Sequence, residues 1–79
     1  MKNKEYYLEK YKVIKQFTFK ENDFIIYRIN EVHPGYFITG DRYGWDFGLR
    51  WEKTVEHIVM DYFVEEELKI IIKRLLTQP

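Results

Sequence analysis

Catalysis by a protein nucleophile would have to use threonine, because the chain contains neither cysteine nor serine. Thr18, Thr39, Thr54 and Thr77 are the candidates, and none has a histidine and an aspartate beside it in sequence to activate it. Acyl transfer by a triad is therefore not expected. The two histidines are His33 and His57. His57 and Asp61 have the spacing of one helical turn, which would suit a metal ion. It is also ordinary helix-surface spacing, and with no second histidine nearby no metal site is expected. His33 precedes Pro34 and reads as a turn residue. Gly35, Gly40, Gly44 and Gly48 are scattered rather than gathered before a helix, so they make no phosphate-cradling loop. Asp41 and Asp46 could meet across a hairpin, yet nothing separates them from solvated turn carboxylates. These absences point away from an enzyme and away from any cofactor.

Binding chemistry is better supplied. Seven Tyr, six Phe and two Trp in 79 residues are enough for a core with some aromatics left for the surface, where Tyr and Trp favour protein interfaces. Arg28, Arg42 and Arg50, with Tyr27, Tyr36, Tyr43 and Trp45, could also stack bases and hold phosphates on a small sheet. Net charge is zero, but it is laid out in blocks. Residues 1 to 20 carry six Lys against two Glu, residues 21 to 67 four basic against eleven acidic, and residues 68 to 79 three basic and no acidic. An acidic middle suits a basic partner better than a phosphate backbone. The candidate partner-binding residues are Tyr36, Asp41, Arg42, Tyr43, Trp45, Asp46 and Arg50.

Most of that set lies in Tyr43 to Trp51, which alternates large apolar residues with Gly, Asp or Arg and therefore reads as a strand. Its odd face, Tyr43, Trp45, Phe47, Leu49 and Trp51, is expected to pack on helices. On its even face Gly44 and Gly48 would leave the backbone bare on either side of Asp46, with Arg50 beyond, so that something flat could approach. The alternative is that these glycines only let the strand curl.

The elements before it are less uniform. Residues 1 to 10 form either two turns of helix, with Tyr7, Leu8 and Tyr11 on one side, or a loose arm. From Tyr11 the period becomes two, and Ile14 with Lys15 breaks it: either a bulge sits there or the helix runs on to Ile14. Glu21-Asn22-Asp23 reads as a hairpin connection. Phe24 to Glu31 follows as a strand, then a type II turn at Val32-His33-Pro34-Gly35, a short strand Tyr36 to Thr39, and a tight connection at Gly40-Asp41-Arg42. After Trp51 the period is helical. Thr54 can cap, and Val55, Ile58, Val59, Tyr62 and Phe63 make one stripe. Val64, Leu68, Ile71, Ile72, Leu75 and Leu76 make another, so two helices, one bent helix or one straight one are open. Ile70, Ile71 and Leu75 offer a surface for a homodimer.

The expected fold is thus α+β: a single domain over 1–79 with a three- to four-stranded antiparallel meander packed by one or two C-terminal helices, and a possible short N-terminal helix. A chain of this size buries only about 60 to 65 % of its unfolded surface. With no cysteine, no run of about 18 apolar residues and no cleavable leader, a cytoplasmic protein with no membrane partner is expected.

The stretches Asn22-Asp23-Phe24-Ile25-Ile26-Tyr27-Arg28-Ile29 and Gly35-Tyr36-Phe37-Ile38-Thr39 resemble the curled hairpins of small SH3-like barrels. The layout of a basic arm, meander strands and terminal helices is similar to that of small phage-encoded inhibitors such as anti-CRISPR proteins. That resemblance implies a partner among host or defence proteins, often one made for nucleic acid, whose working surface the chain would occupy. A single-stranded nucleic-acid module and a dimerising regulatory subunit are the other readings.

Overall fold

Asn3 starts the first helix by accepting the Tyr6 N–H on its side chain at 2.9 Å, which satisfies one of the amide donors a helix leaves open at its start. The computed structural model describes residues 2–29 and 35–77. In it, helix α1, Lys4–Lys10, ends where Tyr11 turns extended and leads into strand β1, Lys12–Phe19. The register shifts between Val13 and Lys15; this is the bulge read from the broken alternation. The expected turn at Glu21-Asn22-Asp23 sits earlier in the chain. Lys20 and Glu21 both hold positive φ, 49° and 67°, the signature of a two-residue primed turn that matches strand twist. Asn22 and Asp23 therefore belong to β2, Asn22–Arg28. The expected turn residues Val32, His33 and Pro34 lie outside the described residues.

Strands β3, Tyr36–Gly40, β4, Leu49–Glu52, and β5, His57–Ile58, complete an antiparallel sheet in the order β1-β2-β3-β4-β5. This is an α+β fold with a meander, one strand more than expected, and the sheet is not closed into a barrel. Among the described residues helix α2, Glu66–Thr77, is the one C-terminal α-helix.

Two of the expected elements do not form. Tyr43 to Trp51 is not a strand: Asp41–Tyr43 is a 3-10 turn, Gly44 and Trp45 hold left-handed backbones (φ 62° and 60°), and pairing begins only at Leu49. Two successive left-handed residues reverse the chain, which the period-two pattern could not reveal. The helix expected from Thr54 is also absent. Glu56 and Met60 have positive φ, 51° and 64°. Between them His57 and Ile58 pair with Glu52 and Trp51, so pairing along the outer edge of β4 replaces a helical stripe. A 3-10 turn, Asp61–Phe63, leads on to α2.

Period two in β2 sends Phe24 and Ile26 to one face and Ile25 and Tyr27 to the other, and all four are buried. The first pair joins Ile38, Leu49, Trp51 and Ile58 beneath α2, which buries Leu68 and Ile72 one turn apart. The second pair joins Tyr7 of α1 and Trp45. The sheet is thus covered on both faces, by α2 on one and by α1 on the other. Ile71 and Leu75, expected at a dimer surface, pack against the core under α2, whereas Ile70 points away and is 55 % exposed.

Candidate functional site

The reversal after Gly44 decides where the candidate binding residues go. A bulky residue at positive φ costs on the order of 1–3 kcal/mol unless its surroundings enforce it, and Trp45 is enforced from three sides. Its indole N–H donates to the Asp41 carboxylate at 2.9 Å and its amide to the Gly40 carbonyl at 3.2 Å; its own carbonyl accepts from the buried Tyr7 hydroxyl at 2.8 Å. The second Asp41 oxygen accepts the Asp23 amide at 2.9 Å. Asp23 in turn takes bonds from Thr18 at 3.0 Å and Lys4 at 3.3 Å, which hold its carboxyl below the usual carboxylate range. Asp41 and Trp45 therefore tie α1, the first hairpin and the 3-10 turn together.

The remaining candidates are dispersed. Arg42 donates to Glu65 at 2.6 Å and lies over the rings of Phe19 and Phe24; this bond, with Lys20 on the other oxygen, lowers the Glu65 pKa. Tyr43 is buried under α2 and its hydroxyl reaches the Phe63 carbonyl at 3.4 Å. Asp46 is exposed. Arg50 lies in β4 opposite Phe37, with a guanidinium nitrogen 3.1 Å from Glu52. Tyr36 faces Trp51 and sits beneath the Arg28 guanidinium. Tyr43 and Trp45 thus belong to cores on opposite faces of the sheet, and the seven residues share no one surface. The bare even face is absent as well. A Cβ at Gly48 would collide with the Tyr27 hydroxyl, so it is the chain's own tyrosine that approaches closely there.

Exposed aromatics gather elsewhere. Phe47, Phe63 and Tyr62 are 40 %, 44 % and 75 % exposed. They run outward from buried Tyr43 as a series of touching rings, with centroids 5.3 Å apart for Tyr43 and Phe47, 5.9 Å for Phe47 and Phe63, and 4.5 Å for Phe63 and Tyr62. The backbone beneath is pinned: Thr39 donates its hydroxyl to the Phe47 carbonyl at 2.8 Å, and the Val64 amide donates to the Asp61 carbonyl at 2.8 Å. Rings held against one another on a pinned backbone lose little conformational freedom on binding, as interface anchors require.

The segments that carry the ridge are rich in carboxylates. Segments 41 to 47 and 60 to 67 hold Asp41, Asp46, Asp61, Glu65, Glu66 and Glu67. Among the described residues Arg42, Lys20 and Lys69 are the cations that pair with members of this set, leaving the acids in excess. No family model, curated protein or solved structure matches this chain. Its functional reading therefore rests on this geometry.

Sequence reasoning missed the ridge because Phe47 fell on the strand's presumed inner face, and Tyr62 and Phe63 in a helical stripe. The available signal was local: Asp46-Phe47 and Asp61-Tyr62-Phe63 set rings directly beside carboxylates. His57, in β5, and Asp61, in the 3-10 turn, do not share a helix face. Among the described residues no three His, Cys, Asp or Glu side chains could hold a metal, and no helix is long and apolar enough to cross a membrane.

Proposed function

We propose that this chain is a non-enzymatic binding protein that docks its ridge of Phe47, Phe63 and Tyr62 onto a basic, partly apolar protein surface. The supporting observation is that three large rings stand exposed, in contact with one another, on segments rich in carboxylates. Large aromatic side chains left out of a core are the side chains that anchor interfaces, and carboxylates around them select a cationic partner and speed its encounter. Surfaces made to hold nucleic acid are cationic in this way. The proposed mode of action is accordingly inhibition of a host or defence protein, of the CRISPR kind, by occupying that surface in the cytoplasm.

The test uses the tagged chain and a Phe47→Ala/Tyr62→Ala variant, captured side by side from a bacterial lysate. A protein retained by the wild type and lost by the variant supports the reading; truncation of such anchors costs about 2 kcal/mol or more each, roughly thirtyfold in affinity. A partner held equally by both chains would place the interface elsewhere, and no partner above background contradicts the reading altogether.

A further inference from the structure

The end of the sheet remote from the first hairpin carries cations that nothing described neutralises. Register puts Lys12 opposite Arg28, Tyr27 opposite Phe37 and Tyr36 opposite Trp51. Arg28 consequently neighbours Tyr36, and Lys12, Arg28, Tyr36 and Trp51 form one transverse row on the α2 face. Like charges directly opposed across two strands destabilise the pair, and among the described residues no carboxylate forms an ion pair with Lys12 or Arg28. The Arg28 guanidinium lies instead 5.6 Å from the centroid of the Tyr36 ring. Lys4, Lys20, Arg42, Arg50 and Lys69 pair with carboxylates, and the other cations without an ion pair among the described residues are not set directly opposite a second cation in the strand register.

The same row opens into a cleft of about 320 Å³ lined by Tyr36, Trp51, Lys53, Glu56, Leu76 and Thr77, a volume at the lower end of the range for small-molecule sites. Lys53 also has no ion pair among the described residues. We propose that the row and cleft form a nucleotide site. One phosphate sits on Lys12 and Arg28, which oppose each other across β1 and β2, and the next phosphate of a bound strand sits on Lys53 at the cleft. The base enters the cleft beside Tyr36 and Leu76, against the C-terminal end of α2, whose partial negative charge excludes the phosphate from that side. The Glu56 carboxylate accepts hydrogen bonds from an exocyclic amine. The Thr77 hydroxyl, whose proton goes to the Lys73 carbonyl at 2.7 Å, accepts as well.

Fluorescence anisotropy of a fluorescein-labelled single-stranded DNA of mixed sequence, titrated with the full chain, tests this. Affinity is expected to fall with salt at a log–log slope of about −2, the value for three phosphate contacts on a single strand. Arg28→Glu should weaken binding about tenfold or more and Tyr36→Ala about fivefold or more, as loss of a phosphate contact and of base stacking require. Lys2→Glu makes the same charge change on α1's side of the sheet and should alter affinity less than about twofold. If Arg28→Glu fails to give a wild-type thermal transition, Lys53→Glu, at an exposed turn, takes its place. Displacement of the probe by adenosine monophosphate assigns the site to free nucleotides; displacement by unlabelled oligonucleotide alone assigns it to the polymer. Absence of binding at low salt overturns the proposal. So does equal loss with Lys2→Glu, or equal competition by polyglutamate, which would make the face a general acceptor for acidic chains.

Discussion

Trp45 and Gly48 show how single residues set the geometry of the site. The left-handed backbone of Trp45 is held by the Asp41 carboxylate and by the Tyr7 hydroxyl. Tyr7→Phe removes the donor and leaves the Trp45 carbonyl buried without it, so a loss of about 1–3 kcal/mol is expected in urea unfolding; an unchanged midpoint would show that this bond does not hold α1 down. Gly48 faces the Tyr27 hydroxyl so closely that a Cβ has no room. Gly48→Ala should destabilise by roughly 1–3 kcal/mol, and Tyr27→Phe in the same chain should recover part of that loss. Equal losses in both backgrounds would contradict the contact. Neither feature was legible in sequence. Gly44, Trp45 and Gly48 satisfy an alternating pattern whether the chain runs straight or reverses, and only tertiary partners such as Tyr7, Asp41 and Tyr27 decide which.

At the scale of elements, local rules succeeded where the chain's own neighbours determine the outcome. The broken alternation at Ile14 and Lys15 and the short strands β2 and β3 were all readable. The stripe Val55, Ile58, Val59, Tyr62, Phe63 misled because helical spacing does not reveal that the outer edge of β4 is open to pairing; Ile58 satisfies that edge, and Tyr62 and Phe63 are left outside. The first hairpin and the start of α2 are tied down by Asp23 and Glu65, both with lowered pKa values, through Thr18 and Lys4 for the first and Arg42 and Lys20 for the second. A carboxyl whose pKa is lower folded than unfolded stabilises the fold above its unfolded value, and that contribution vanishes as pH falls through the folded value. The urea midpoint should therefore drop as pH falls below about 4, with a flatter profile in Asp23→Asn/Glu65→Gln. Parallel acid profiles for the two chains would remove these carboxylates from the explanation.

Across the whole molecule, zero net charge conceals two poles. The segments that carry the aromatic ridge, Phe47 and the 3-10 turn before α2, are rich in carboxylates, whereas Lys12 on β1, Arg28 on β2 and Lys53 in the turn after β4 have no ion pair among the described residues. The blocks along the chain hinted at this separation, but the acidic middle itself supplies Arg28 and Lys53 to the basic pole, so block charges alone could not map it. The central claim is that the acidic pole, through its rings, is the surface that meets a protein partner. The most direct measurement is site-specific photo-crosslinking in bacterial cells, with benzoylphenylalanine introduced in place of Tyr62 and, separately, in place of Glu9 on the exposed side of α1. A discrete protein adduct from position 62 and none from position 9 is the expected result. An adduct from position 9 alone, or none from position 62 while the chain still captures its partner, would contradict the assignment of the ridge.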